Sequence, residues 1–211
     1  MKIAFVGTHS NGKTKLVEDF LQRWPMYKTS EFPYRDTIKD EKLKLNQKGD
    51  KKSQKKILDA MVDEIQSASS SSEEFLAFDG CVVENVAYSL WLNAKGLGKV
   101  DDDFINDSRV IVNQTVKQYD LIFYSVLRED IKLGRKVSDE NLSYRKEIDY
   151  ILDAMVSTYD KNKGIYFPTN DCPAVIRLEG PPDLRVEQLR LYLKNNGKCF
   201  GEEDGSLITT P

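Results

Sequence analysis

The densest chemistry in the chain lies near its start, in Gly7-Thr8-His9-Ser10-Asn11-Gly12-Lys13-Thr14. Every fixed position of G-x-x-x-x-G-K-[ST] is filled, a spacing that cradles phosphate. Gly7 and Gly12 let backbone N–H groups, those around Ser10 and Asn11 included, curl about phosphate oxygens without side-chain clash. The helix expected to follow adds the positive end of its dipole. Lys13 reaches the β and γ phosphates as a point charge, and Thr14 offers a hydroxyl to Mg²⁺. His9, the one histidine, contributes its backbone to the loop, with a side chain that packs or faces solvent.

Asp79 is the second candidate. It closes the apolar run 75–78, and in a parallel α/β sheet ligands gather at the carboxyl ends of strands. A carboxylate there either holds Mg²⁺ through water or accepts a proton from an attacking hydroxyl. The competing role is a cap for the helix that starts near Cys81. Glu84, Asn85 and Tyr88 lie on that helix, with Glu84 and Tyr88 near one face. They line a substrate pocket or form a solvated flank.

Elements must exist to position these groups. Short apolar runs at 2–6, 26–30, 75–78, 121–125 and 174–178 read as strands. Helical stripes fall between them, such as Leu16, Val17, Phe20 and Trp24 before Pro25, and Ile57, Leu58, Met61 and Ile65 before a serine-rich loop at 67–72. The acids 101–103 start a further helix, and a last helix carries Leu184, Leu189 and Leu193. Strands alternating with helices imply a parallel sheet covered on both faces. The segment 128–142 is poor in apolar residues and reads as exposed. Lys51, Lys52, Lys55 and Lys56 are either a solvated helix face or a patch for a phosphate-rich substrate.

Composition narrows the field. The 211 residues suit one domain with an inserted lid, placed at 1–196 with a flexible tail at 197–211. The net charge is −3, from 31 Lys+Arg against 34 Asp+Glu, which excludes a histone-like basic protein but not a local basic patch. No apolar run nears the ~20 residues of a membrane span, and the start lacks the layout of a secretory signal. Cys81, Cys172 and Cys199 are odd in number and widely spaced, which argues against a disulfide framework or a zinc site. A single histidine leaves no room for a multi-histidine metal centre. The expectation is a reduced, cytoplasmic protein.

The run F-D-G-C-V-V-E-N-V-A-Y-S from Phe78 resembles the D-R-x-x-x-D-N-x-A-Y segment of small P-loop nucleoside and nucleotide kinases. The relatives it is similar to are the nicotinamide-riboside-kinase-like ATPase domains common in phage genomes and, more distantly, thymidylate kinases. The resemblance follows element order from Lys2 to Leu193, with Gly80 standing where many relatives have Arg. It implies an α/β P-loop NTPase-type fold with a helical lid at about 126–146. It implies that Glu31 and Arg35 face the acceptor, Arg35 binding an acceptor phosphate and Glu31 orienting a sugar or base. It implies that the lid arginines Arg128, Arg135 and Arg145 neutralise charge on the transferring phosphoryl group. And it implies that Gly180, Pro181 and Arg185 border the donor base.

The combined expectation is a kinase that moves the γ-phosphoryl group of ATP, or of GTP, with Mg²⁺, to a nucleoside monophosphate or nucleoside-like acceptor. Lys13 and the loop hold the donor, Asp79 activates the acceptor or organises Mg²⁺, and Glu84, Asn85 and Tyr88 face the acceptor. Two alternatives stand beside it. One is a kinase acting on a modified base, such as 5-hydroxymethyluracil, in phage DNA. The other is an ATPase or GTPase switch with no acceptor, although the N-K-x-D base-reading motif of a regulatory GTPase is missing from the sequence.

Overall fold

The computed structural model describes residues 1–128, 139–160, 164–168, 170 and 172–200. The apolar runs pair side by side into one sheet of five parallel strands: β1 (Lys2–Val6), β2 (Lys28–Thr29), β3 (Leu76–Asp79), β4 (Leu121–Ser125) and β5 (Ala174–Leu178), in the order β2-β3-β1-β4-β5. β1 is central, with Ile3 in register with Ala77 on one side and Leu121 on the other. Such strands are buried on both faces and carry apolar residues at successive positions.

Among the described residues, seven α-helices cover that sheet: α1 (Lys13–Arg23), α2 (Tyr34–Asp40), α3 (Lys51–Ser69), α4 (Val82–Ala94), α5 (Asp102–Thr115), α6 (Asp139–Asp160) and α7 (Pro182–Leu189). Side chains alternate across a strand with a period of two. Ala4, Val6, Phe78, Ile122 and Tyr124 therefore share one core with α3 to α6. Ile3, Phe5, Ala77, Leu121 and Phe123 share the other with α1 and α7. The expected doubly covered parallel sheet is thus the observed one. Asp50 and Asp101 cap α3 and α5, accepting from Ser53 N–H at 2.8 Å and Phe104 N–H at 2.9 Å.

Several boundaries differ from expectation. β2 keeps two residues of the five expected, both exposed, because it sits at the sheet edge with β3 as its one partner. α3 starts at Lys51, so the lysine cluster is its first turn and a half, and it runs to Ser69 rather than stopping before the serines. There Ser69 Oγ donates to the Ile65 carbonyl at 3.0 Å, a side-chain bond that helices tolerate. α7 stops at Leu189, and Leu193 instead forms an antiparallel bridge with Cys199. Residues 197–200, expected within the flexible tail, are packed against α1 and the segment after it. Trp24 Nε1 donates to the Lys194 carbonyl at 2.9 Å and Tyr27 Oη to the Gly197 carbonyl at 2.7 Å. The signal for this was Trp24 itself, fully buried just past α1 and in need of a cover. Residues 201–211 lie outside the described residues. The three cysteines are free thiols. No helix among the described residues is long and apolar enough to cross a membrane.

Candidate functional site

The phosphate loop joins β1 to α1 at the carboxyl edge of the sheet. Gly7 lies against β4, where a Cβ would sit 2.7 Å from the Ser125 carbonyl oxygen, so only glycine fits. Asn11 is fully buried and pins the loop to the same strand end, its Nδ2 donating to the carbonyls of Ser125 at 2.8 Å and Val126 at 3.1 Å. Arg185 braces the loop from behind. It is 1% exposed and donates to the Asn11 carbonyl at 3.3 Å, to Ser125 Oγ and to the Val126 carbonyl. Asn11 and Arg185 therefore act in this structure as internal supports, and neither lines the cavity described below. Burial, with the Arg128 charge second, holds the Arg185 guanidinium below its usual range.

At the loop's mouth four charged side chains from four elements converge. Lys13 Nζ forms a buried ion pair with Glu84 of α4 and donates to the Gly7 carbonyl at 3.3 Å. Glu84 Oε1 also accepts from Gly7 N–H at 2.8 Å. Burial pushes the Glu84 carboxyl up, and the adjacent Lys13 ammonium pulls it down. Asp79, at the end of β3, accepts from Thr14 Oγ1 at 2.8 Å and pairs with Arg35 of α2 at 3.1 Å. Gly80 (φ +120°) makes this convergence possible: a Cβ there would meet Tyr34 Oη at 2.8 Å and Glu84 Oε2 at 3.1 Å. Arg35, which also donates to the Asp79 carbonyl at 3.2 Å, brings a guanidinium to the aspartate beside the glycine that lacks one.

From the loop a cavity of about 910 Å³ runs between α2, α3 and α4. Ser10, Gly12, Lys13 and Thr14 line it from the loop, Arg35 and Ile38 from α2, Gln54, Ile57 and Met61 from α3, and Glu84, Asn85 and Tyr88 from α4. Asn85 Nδ2 donates to the Gln54 carbonyl at 3.1 Å and to Gln54 Oε1 at 2.8 Å, and Ser89 Oγ donates to that Oε1 at 3.3 Å. The backbone acceptor fixes which way the Asn85 amide points. Tyr88 Oη accepts from His9 N–H at 2.8 Å and meets His9 Nδ1 at 3.2 Å, while His9 Nε2 meets Asn141 Oδ1 at 3.1 Å. His9 thus ties the loop to α4 and α6, and burial keeps its imidazole pKa low.

The other expected residues are placed differently. Glu31 is exposed and outside the cavity wall. Gly180 turns the chain after β5, away from the cavity, and Arg128 lies just past β4 beside Arg185. Of the expected lid, residues 139–146 are the start of α6, whereas 129–138, with Arg135, lie outside the described residues. Arg145 is 2% exposed near His9, and its buried Nε and Nη2 have no hydrogen-bond partner among the described residues. Two polar groups of α3 escaped the motif reading, Gln54 on the wall and Glu64 behind it against Tyr34. Both fall on the apolar stripe of Ile57, Met61 and Ile65, and a polar residue on an apolar stripe was the available signal. Glu64 is 6% exposed, accepts from Tyr34 N–H at 3.2 Å, and is pushed by burial up to about 7.

Thr14 and Asp79 offer Mg²⁺ two hard oxygen donors already in contact, which fits an ion that keeps several waters and takes its remaining ligands from phosphate. Among the described residues no cluster of three or more His, Cys, Asp or Glu side chains could hold a metal on its own.

Comparison with solved structures gives the same architecture. Deoxyadenosine kinase from M. mycoides matches with a TM-score of 0.61 at 17% identity, over 90% of this chain and 97% of that one. Thymidylate kinase from Candida albicans matches at 0.56 and 16% identity, over 89% and 88%. NadR, solved with NAD and AMP-PNP, matches at 0.59 and 14% identity, over 90% of this chain and 49% of that one, so the chain spans about half the length of NadR. No curated protein matches the sequence. The family model described as AAA domain matches residues 2–163. With the loop, sheet order and flanking helices in place, the chain belongs to the AAA domain family and has the P-loop fold that nucleoside and nucleotide kinases share.

Proposed function

We propose that the chain is a phosphotransferase that moves the γ-phosphoryl group of ATP to a nucleoside or nucleotide acceptor. One observation carries the reading: the phosphate loop opens into a cavity lined by both charged and apolar side chains. Those are the kinds of group a phosphoryl donor, a sugar or phosphate, and a flat base require. The solved neighbours named for nucleoside and nucleotide kinases support it at the level of fold.

Phosphoryl transfer needs mostly positioning and charge stabilisation. Lys13 and the loop N–H groups hold the donor phosphates. Thr14 and Asp79 would hold Mg²⁺, which when bound screens phosphate charge. Arg35 lines the cavity and suits an acceptor phosphate, which a guanidinium grips with two donors. Arg145 has buried N–H groups close to the loop that no described residue satisfies, and a buried cation of that kind is costly until an anion meets it. The transferring phosphoryl group is such an anion.

A second reading has its own support. A groove of about 840 Å³ is lined by Lys44, Lys51, Lys52, Lys55, Lys56 and Lys99, with Asp50 and Asp59 among them. The segment 44–50 borders both this groove and the cavity. A polynucleotide strand whose backbone lay on the lysines would bring one base to the phosphate loop.

A transfer assay tests both. Labelled ATP and Mg²⁺ are offered to nucleosides, nucleoside monophosphates, nicotinamide riboside and DNA containing 5-hydroxymethyluracil. Label on a small acceptor supports the first reading, and label confined to DNA the second. Label released as free phosphate alone, with every acceptor untouched, overturns both in favour of an ATPase or switch.

A further inference from the structure

Glu84 is a carboxylate held where a phosphate loop holds phosphate. It is 4% exposed, its Oε1 accepts from Gly7 N–H at 2.8 Å, and it is ion-paired with Lys13. Those two donors are the loop's own anion-binding groups. A phosphate oxygen needs the same donors, and two anions cannot share them without strong repulsion. The other oxygen, Oε2, lies beside Gly80, as does Tyr34 Oη, and Glu84 lines the cavity together with Tyr34, Arg35 and Asn85. Asp79 is committed elsewhere, to the Thr14 hydroxyl and the Arg35 guanidinium.

We propose that Glu84 is a built-in stand-in for donor phosphate, displaced from Gly7 and Lys13 when the donor binds, and that the displaced carboxylate is the base that takes the acceptor's proton. This rests on the phosphotransferase reading. In the step, the hydroxyl O–H of a nucleoside acceptor gives its proton to the Glu84 carboxylate, and the freed oxygen pair forms the new O–P bond. The bond from the γ-phosphorus to the β–γ bridging oxygen breaks, and its electron pair leaves with the nucleoside diphosphate. The arrangement couples the two substrates, because Glu84 is occupied by Lys13 until a donor replaces it. A lone acceptor then meets no free base, which guards against reaction with the wrong partner.

The test separates binding from chemistry. Glu84→Gln keeps the shape and removes the charge, and Glu84→Asp keeps the charge with a shorter reach. Calorimetry with a non-hydrolysable ATP analogue should show Glu84→Gln binding about tenfold tighter than wild type, because the competing charge is gone. Single-turnover transfer at saturating donor should fall roughly 10²-fold or more in the same variant. Glu84→Asp should also bind the analogue more tightly while keeping more transfer than Glu84→Gln. Unchanged or weaker analogue binding by Glu84→Gln overturns the stand-in role, and unchanged transfer overturns the base role. Should either variant fold poorly, ¹³C NMR of the glutamate carboxyls of the wild-type chain gives the answer directly. The Glu84 signal must move when the analogue binds, and a stationary signal overturns the displacement. Failure of the wild type to bind the analogue overturns both this inference and the phosphotransferase reading. Tight wild-type binding with no gain in Glu84→Gln overturns this inference alone.

Discussion

The two walls of the cavity are built by opposite strategies. The donor wall is one contiguous stretch, residues 7–14, that works through backbone N–H groups and one lysine and is braced by neutral contacts to Ser125 and by Arg185. The opposite wall is assembled from α2, α3 and α4, with positions from 34 to 88, and mixes apolar groups such as Ile57 and Met61 with the buried charge of Glu84. A backbone cradle carries little formal charge, and its groups find partners across the fold, Gly7 N–H on Glu84 and His9 N–H on Tyr88. Buried carboxylates such as Glu64 and Glu84 are costly, because burial disfavours their charge. The site therefore concentrates its electrostatic strain on the helices that face the loop.

The largest expected effect crosses the boundary between the walls. Lys13→Met should lower transfer by roughly 10³-fold and cost roughly 3–5 kcal/mol of stability, since it leaves Glu84 buried and unpaired. Adding Glu84→Gln should restore most of the melting temperature and none of the transfer. If the double variant stays as unstable as the single one, the ion pair does not join the two walls, and the contrast drawn above breaks.

Glu64 sharpens the contrast on the helix side alone. Its folded pKa of about 7 stands above the ordinary value of 4.5, so the folded chain binds the proton more tightly than the unfolded one. The contribution is fully present below about 4.5 and is lost as pH rises through about 7. Glu64→Gln should therefore stabilise the protein by up to about 3 kcal/mol at pH 8 and by almost nothing at pH 4, read from urea melts at both pH values. An equal effect at both would mean that Glu64 is not a strained carboxylate.

The smallest effect concerns Arg35, which is half-exposed and paired with Asp79. Arg35→Lys should raise the acceptor KM several-fold, about 1 kcal/mol, with little change in donor KM, because lysine keeps the charge and loses the fork. A change confined to the donor KM would move Arg35 to the donor wall of the cavity.

The same contrast explains what was legible in the sequence. The sheet, its strand positions and the loop follow from local patterns: KIAFV, then G-x-x-x-x-G-K-T, then an amphipathic stripe. Asp79 was legible because it ends an apolar strand. Element ends such as Leu193 and residues 197–200 were not, because a clasp between Trp24 and Tyr27 and residues about 170 positions later decides them. Arg185 and Gln54 were hard to place for a related reason. A buried arginine and a surface arginine look alike in sequence, and only the fold shows that Arg185 holds the loop from behind while Gln54 fixes the Asn85 amide.

The braces on the phosphate loop have a consequence for synthesis. The loop leaves a ribosome before its supports do, for it is anchored by Ser125, and by Arg185, which lies 174 positions beyond Asn11. At typical translation speeds that separation is roughly 10–35 s. During that interval the nascent chain carries the full motif without the supports that shape it. An anion thus has little to grip on a chain that stops short of Arg185, and ligand binding rewards only a chain in which the braces are in place.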